Sequence, residues 1–273
     1  MRARRRFAQH FLEPAWVAKV VKAFGGDIGQ DVIEIGPGRG ALTRPLSETV
    51  GRLLAIEIDR DLAAELDATK PGNVTVLVGD VLSIDLAAAI TGWLGSPPGP
   101  AQKVRVIGNL PYNISSPILF QLLATAASTG GFSDATLMLQ KEVADRLVAR
   151  VGTGDYGVLS ILTAVHADVR RVLALPPGAF RPMPAVHSAV VQLTFRPPTV
   201  DIEDQEAFVR MVRSMFTQRR KTLLNALRTY ATETSTSAGS ALDAAGIDSR
   251  RRPETLELAE VARLSRAFKS AGS

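Results

Sequence analysis

Apolar positions along the chain follow two alternating rhythms. Short, nearly continuous apolar runs occur at residues 31–35 (DVIEI), 53–58 (LLAIEI), 74–78 (VTVLV), 104–109 (VRVIGN), 135–139 (ATLML), 169–175 (VRRVLAL) and 189–195 (AVVQLTF). Runs of this length, rich in Val, Ile and Leu, read as strands. Between most of them lie longer amphipathic stretches, such as 59–69, 115–127 and 141–149, with apolar residues at helical spacing. Strand and helix in alternation predict an α/β fold on a doubly wound, predominantly parallel sheet. After FRPPTVDIED (195–204) the rhythm changes. Two prolines stop the last strand, and 205–217, 219–230, 238–245 and 254–268 read as helix, with Pro253 suited to a first turn. A boundary near residue 200 is therefore predicted between a larger domain, 1–200, and a small helical domain, 201–273.

Composition narrows the function classes. The chain has 273 residues, 46% hydrophobic and 22% charged, as in an ordinary soluble globular protein. It contains no run of about eighteen apolar residues. Its start, MRARRRFAQHFLEPAW, is basic but lacks the apolar core of a secretory signal. Neither a membrane span nor export is predicted, and the cytoplasm is the expected location. The absence of cysteine excludes disulfides and thiol chemistry, and three scattered histidines make no zinc pattern, so no metal is expected. The net charge of +5 favours a polyanionic partner. Arg4, Arg5 and Arg6 at the start, and Arg219, Arg220 and Lys221 in the helical part, form two basic clusters expected to contact RNA phosphates.

The chemistry gathers at strand ends. The first strand runs into EIGPGRGALT, where glycines at 36, 38 and 40 allow a tight turn and a close approach to a ligand. The second ends at Glu57, twenty-one residues after Gly36, an acid suited to ribose hydroxyls. That pair fits NAD and S-adenosylmethionine equally. The third strand ends at Asp80, which can accept a hydrogen bond from an adenine amino group. The fourth ends in Asn109, Leu110, Pro111 and Tyr112.

This NLPY sequence resembles the signature of methyltransferases that modify exocyclic amino groups. Such an amine is a poor nucleophile because its lone pair is delocalised into the ring. The Asn109 side-chain oxygen and the Leu110 carbonyl would both accept from it and favour a pyramidal nitrogen, aiming the lone pair at a donor methyl. Pro111 fixes the turn and Tyr112 offers a flat face for the base. Phe180, on the proline-stiffened loop PPGAFRPMPAVHS (176–188), is expected to stack on the other side.

Nearly the whole chain resembles the KsgA family, the small-subunit ribosomal RNA adenine dimethyltransferases. The resemblance is carried in order by RFAQHFL (6–12), EIGPGRGALT, IEIDRDLA (56–63), GNLPYNISSPILF, LMLQKEVADRL (137–147), YGVLSIL (156–162), PPGAFRPMPAVHSAVV (176–191), FTQRRKTLLNAL (216–227) and AGIDSRRRPETL (245–256). It implies a Rossmann-like class I methyltransferase domain with a seven-stranded sheet, and a small C-terminal helical domain that binds RNA or the ribosome. It also implies transfer of two methyls to N6 of each of two adjacent adenines near the RNA 3′ end, by a monomer acting on the small-subunit RNA or its precursor particle. Donor contacts are implied at His10, Leu12, Gly36, Glu57, Asp80 and Asn109, and base contacts at Asn109, Leu110, Tyr112 and Phe180. The chain departs from the usual pattern at Ala8, His10, Arg39 and His187. Three rivals share parts of this sequence logic: a large-subunit adenine methyltransferase of the erythromycin-resistance type, an RNA-binding assembly factor without catalysis, and an NAD-dependent oxidoreductase, whose hydride-handling acid or base is not evident at the strand ends. NLPY, FTQRRKTLLNAL and AGID favour the small-subunit enzyme over the first. Intact GPGRG, Glu57, Asp80 and NLPY argue against the second.

Overall fold

The computed structural model describes residues 10–271, which fold into two compact units. The first unit holds the described residues up to Ala144 together with Ala167–Arg196; the second holds Asp145–His166 together with the chain from Pro197 onward. The sequence boundary near residue 200 lies close to the division after Arg196. The sequence does not anticipate that Asp145–His166 joins the second unit. That stretch lies between two strands, and its helical spacing looks like one more crossover.

The first unit contains β1 (Phe11–Leu12), α1 (Pro14–Phe24), β2 (Asp31–Ile35), α2 (Thr43–Ser47), β3 (Arg52–Glu57), α3 (Arg60–Asp67), β4 (Val74–Val78), α4 (Leu86–Leu94), β5 (Val104–Asn109), α5 (Ser115–Thr129) and β6 (Phe132–Gln140), then β7 (Ala167–Leu175), β8 (Phe180–Arg181) and β9 (Ser188–Phe195). All seven apolar runs are strands of one sheet, ordered β4-β3-β2-β5-β6-β9-β7. Neighbours from β4 to β6 are parallel, and β9 runs antiparallel to both β6 and β7. The chain builds outward through β2, β3 and β4, then returns to lay β5 on the other side of β2. That reversal opens a crevice at the carboxyl ends of β2 and β5, the place where open α/β sheets take ligands.

Two features fix this frame. Val32, Leu53, Ala55, Ile107, Met138 and Val190 of the sheet pack with Val20 and Phe24 of α1 in one buried cluster. At the opposite end from the crevice, the buried Arg105 donates to both Asp134 carboxylate oxygens at 2.7 and 2.8 Å and to the Phe24 and Gly25 carbonyls at 2.8 Å each. A buried charge is tolerable when it is paired and its remaining hydrogens are used. Here the guanidinium also closes the carbonyl end of α1. Outside the main sheet, β1 pairs antiparallel with β8, Phe11 opposite Arg181 and Leu12 opposite Phe180. Two-residue strands leave no period to read, so this ribbon was invisible in the sequence.

A short helix, α6 (Lys141–Leu147), spans the first division of the chain. The second unit contains α7 (Val158–His166), α8 (Gln205–Thr217), α9 (Leu223–Ala226), α10 (Arg228–Glu233), α11 (Ala238–Ala244) and α12 (Leu258–Ala271). On α8, Phe208, Met211, Val212 and Met215 are buried, the i, i+3, i+4, i+7 stripe of an amphipathic helix. Its start is capped by Asp204, which accepts the Ala207 N–H at 2.9 Å. The single helix expected over 219–230 is instead a turn and two short helices. The Leu223 and Leu224 N–H groups donate to the Arg251 and Ser249 carbonyls at 2.8 and 3.2 Å. This pins the segment to the 248–252 loop where a helix would have continued.

Candidate active site

The carboxyl ends of β2, β3, β4 and β5 line one cavity. His10, Leu12, Gly36, Glu57, Asp80, Asn109, Leu110, Pro111 and Tyr112, all singled out from sequence, face it together. Gly36 and Gly38 have φ of 70° and 57°, a left-handed conformation that side chains with a Cβ rarely adopt. A Cβ on Gly38 would also sit 3.1 Å from the Phe11 ring. Phe11 in turn lies under the Arg39 guanidinium, 5.7 Å from its ring centre. The departure at Arg39 thus has a local partner on the rim of the glycine loop.

Glu57 is 3% exposed and already engaged. Its Oε2 accepts the Gly38 N–H and its Oε1 accepts the Asp59 N–H, both at 2.9 Å. One hydrogen bond per oxygen leaves acceptor capacity on each, so the carboxylate can hold the glycine loop and a ligand diol together. Asp80 has two jobs as well. It accepts the Leu82 N–H at 3.0 Å, capping the following turn, while facing the cavity.

At the end of β5 the Asn109 Nδ2 donates to the His10 carbonyl at 2.9 Å. That bond turns Oδ1 the other way, and among the described residues nothing donates to Oδ1. The Leu110 carbonyl likewise accepts no hydrogen bond among the described residues. Tyr112 is held at its tip, its hydroxyl 2.7 Å from the buried Ser188 Oγ. Its ring stacks on His10, with centroids 5.6 Å apart and planes at 25°. His10 Nδ1 lies 2.7 Å from the Pro182 carbonyl.

Phe180 requires a correction. Its ring is 1% exposed, belongs to the core cluster and does not line the cavity. Pairing of β8 with β1 sets Phe180 opposite Leu12, and both side chains pack inward. An aromatic on a proline-rich loop looked available for a base, but the core claims it. The cavity also holds a residue that sequence reasoning missed. Glu34, the last polar residue before the glycine loop, is 1% exposed, lines the cavity and has an Oε2 with no hydrogen-bond partner among the described residues. Burial pushes its pKa up to about 7; the Thr43 hydroxyl works in the opposite direction and the Glu57 charge adds to the rise. A charged residue between the apolar Ile33 and Ile35 of β2 was the signal for it.

The basic clusters fare differently. Arg4, Arg5 and Arg6 lie outside the described residues. In the second unit Arg220 and Lys221 are exposed, whereas Arg219 is half-buried and held by backbone carbonyls. Its guanidinium donates to the Gly154 carbonyl and, at 3.0 Å, to the Thr153 carbonyl, with Glu254 4.0 Å away. Arg219 is thus a clasp on the 153–154 loop, a role its place in a basic cluster did not suggest. Among the described residues no group of three His, Asp or Glu converges to hold a metal, and no helix is long and apolar enough to cross a membrane.

The chain as a whole is similar to known proteins. The family model for ribosomal RNA adenine dimethylase matches residues 1–267. The ribosomal RNA small subunit methyltransferase A of Moorella thermoacetica is 43% identical over 269 residues, covering 97% of this chain and 92% of that protein. The protein of the same name from Geobacter sulfurreducens is 42% identical over 279 residues, covering 100% and 97%. Among solved structures, a dimethyladenosine transferase from Plasmodium falciparum superposes with a TM-score of 0.75 over 96% of this chain and 98% of its own, at 24% identity, and so shares the fold. The 23S rRNA methyltransferase ErmE gives 0.62 at 25% identity, covering 95% and 99%. A family model matched over residues 1–267, with relatives 42–43% identical along nearly the full chain, establishes that this chain belongs to the ribosomal RNA adenine dimethylase family.

Proposed function

We propose that this enzyme uses S-adenosylmethionine to dimethylate N6 of two adjacent adenines near the 3′ end of small-subunit ribosomal RNA. The carrying observation is the orientation of Asn109. With Nδ2 committed to the His10 carbonyl, the Oδ1 acceptor and the Leu110 carbonyl are both left for the two hydrogens of an adenine amine. Acceptors on both hydrogens favour a pyramidal nitrogen and free its lone pair for attack, so the chain contributes orientation and electrostatics and needs no proton-abstracting base beforehand.

The cavity suits the donor. Gly36 and Gly38 give a backbone cradle, Glu57 keeps acceptor capacity for a ribose diol, and Asp80 stands where an adenine amino group would need an acceptor. Glu34, partnerless on Oε2, offers a carboxyl towards a cationic group. When bound, S-adenosylmethionine supplies an electrophilic methyl on a sulfonium. Leu12 walls the cavity beside His10, and Pro111 holds the turn that presents the Leu110 carbonyl. Tyr112 gives the target base its stacking face. The helical unit, with Arg220 and Lys221 exposed, fits RNA phosphates. On this reading the enzyme works without a metal, as a monomer, in the cytoplasm, on the small-subunit RNA or its precursor particle.

The test is methyl transfer to small-subunit particles from a strain lacking the modification, with the modified nucleotides mapped. Dimethylated adjacent adenines near the 3′ end are the expected outcome. Label confined to large-subunit RNA, as the ErmE likeness would suggest, sinks the assignment.

A further inference from the structure

We propose that His10 is a positioning residue for the target base, its ring backing Tyr112 while its main chain orients Asn109. This rests on the methyltransferase reading above. It gives His10 a place different from the donor contact implied by the family resemblance.

The Tyr112 ring is constrained twice. Its hydroxyl is fixed to Ser188 at 2.7 Å, and one of its faces is covered by the His10 ring at 5.6 Å and 25°. A phenol held at its tip and backed on one face keeps its plane, so a base meets a surface that is already ordered. His10 is itself held. A carbonyl only accepts, so the 2.7 Å contact to the Pro182 oxygen requires the hydrogen on Nδ1. The His10 carbonyl receives Asn109 Nδ2 at 2.9 Å. Through one residue the start of β1, the end of β5 and the loop after β8 are tied around the amine-orienting acceptors. With Phe180 committed to the core, His10 is the aromatic partner that Tyr112 has among the described residues. One face of Tyr112 being occupied, the adenine stacks on the opposite face, giving the order His10, Tyr112, base.

The two roles separate cleanly. A side-chain change at His10 removes the ring and keeps the carbonyl that holds Asn109. The experiment compares His10→Ala, His10→Phe and His10→Asn in the full chain. Methyl transfer to unmodified small-subunit particles gives kcat and KM, calorimetry gives S-adenosylmethionine affinity, and a melting curve controls for folding. Phe keeps a ring but no hydrogen bond to Pro182; Asn keeps a donor but no ring. Expected is a loss of about tenfold in kcat/KM for Ala and Asn, the order of one aromatic stacking contact. Phe should recover most of it, with donor affinity within about twofold of the original in all three. Rescue by Asn and not by Phe would overturn the proposal, as would unchanged turnover in His10→Ala. A tenfold loss of donor affinity in His10→Ala that Phe does not restore would return His10 to the donor site. If the unaltered chain methylates no particle, the functional reading falls and this inference with it.

Discussion

The Asn109 Nδ2 donates to the main-chain carbonyl of His10, 2.9 Å away in space and 99 residues away in the chain. That bond decides which end of the amide faces the cavity, so Asn109 is an acceptor there by construction. Asn109→Ala removes the acceptor and is expected to lower single-turnover methyl transfer by about a hundredfold or more, the scale of losing one preorganised charge-stabilising group. Asn109→Asp keeps an oxygen towards the amine but sets the other against the His10 carbonyl, so it should also be impaired. Single-turnover rates at saturating donor, with melting curves, check both. Near-normal rates in either variant would remove the orienting role.

Glu57 holds the Gly38 and Asp59 N–H groups as well as facing the cavity. Glu57→Ala should therefore do two things that Glu57→Gln does only in part. It should weaken donor affinity by roughly tenfold to a hundredfold, since a hydrogen bond to a charged group is worth about 1.5–3 kcal/mol. It should also lower thermal stability, because two N–H groups lose their acceptor. Calorimetry and melting on the same preparations read both effects, and a folded Ala variant with unaltered donor affinity would take Glu57 out of the site.

Sequence reading went furthest where a residue's role depends on its place along one element. The seven strands, the α8 stripe and the strand-end residues 36, 57, 80 and 109 follow from periodicity and from the rule that ligands meet the carboxyl ends of a parallel sheet. It went wrong where the role depends on a partner distant in the chain. Phe180 and Arg219 have the chemistry for base stacking and phosphate contact, yet β1 pairing and the 153–154 carbonyls claim them first. The stack of His10 on Tyr112 was illegible for the same reason: 102 positions separate them, and only the folded chain brings the rings together.

Glu34 makes stability depend on pH. Its folded value, raised by burial from 4.5 to about 7, means that the folded chain holds this proton more tightly than the unfolded chain. Below pH 4.5 both states are protonated and nothing is lost. Between 4.5 and about 7 the unfolded chain ionises first, so stability falls as pH rises, and above 7 the cost is complete at about 3 kcal/mol. Glu34→Gln, neutral throughout, should flatten this slope and melt higher than the original chain above pH 7. A cationic donor in the cavity favours the ionised form, so its affinity for the original chain should rise through pH 7 and that rise should vanish in the Gln variant. Denaturation and donor titrations from pH 5 to 9 decide the matter. An unchanged profile in Glu34→Gln would mean that another group titrates.

Arg219, Arg220 and Lys221 are adjacent in sequence, but their surroundings divide them. Arg219 fastens the 153–154 loop through two carbonyls and faces Glu254 at 4.0 Å, whereas Arg220 and Lys221 are exposed and make no hydrogen bond or ion pair through their side chains among the described residues. A triple substitution would mix a fold effect with a docking effect, so the residues are best changed separately. Arg219→Ala leaves two carbonyls without their donor, removes the cation 4.0 Å from Glu254, and should lower the melting temperature by about 2–6 °C. It should leave the salt dependence of particle binding as it was. The Arg220→Ala, Lys221→Ala double variant should melt with the original chain and bind small-subunit particles more weakly. For every phosphate no longer neutralised, the plot of log affinity against log salt should flatten by roughly 0.7–0.9. Donor affinity should be unaffected in both, because no residue of this cluster lines the cavity. Binding measured at several salt concentrations beside melting curves tests the assignment. If the double variant keeps the original salt slope, Arg220 and Lys221 do not touch phosphate; if Arg219→Ala alone flattens it, the clasp on the 153–154 loop is not what Arg219 does on the particle.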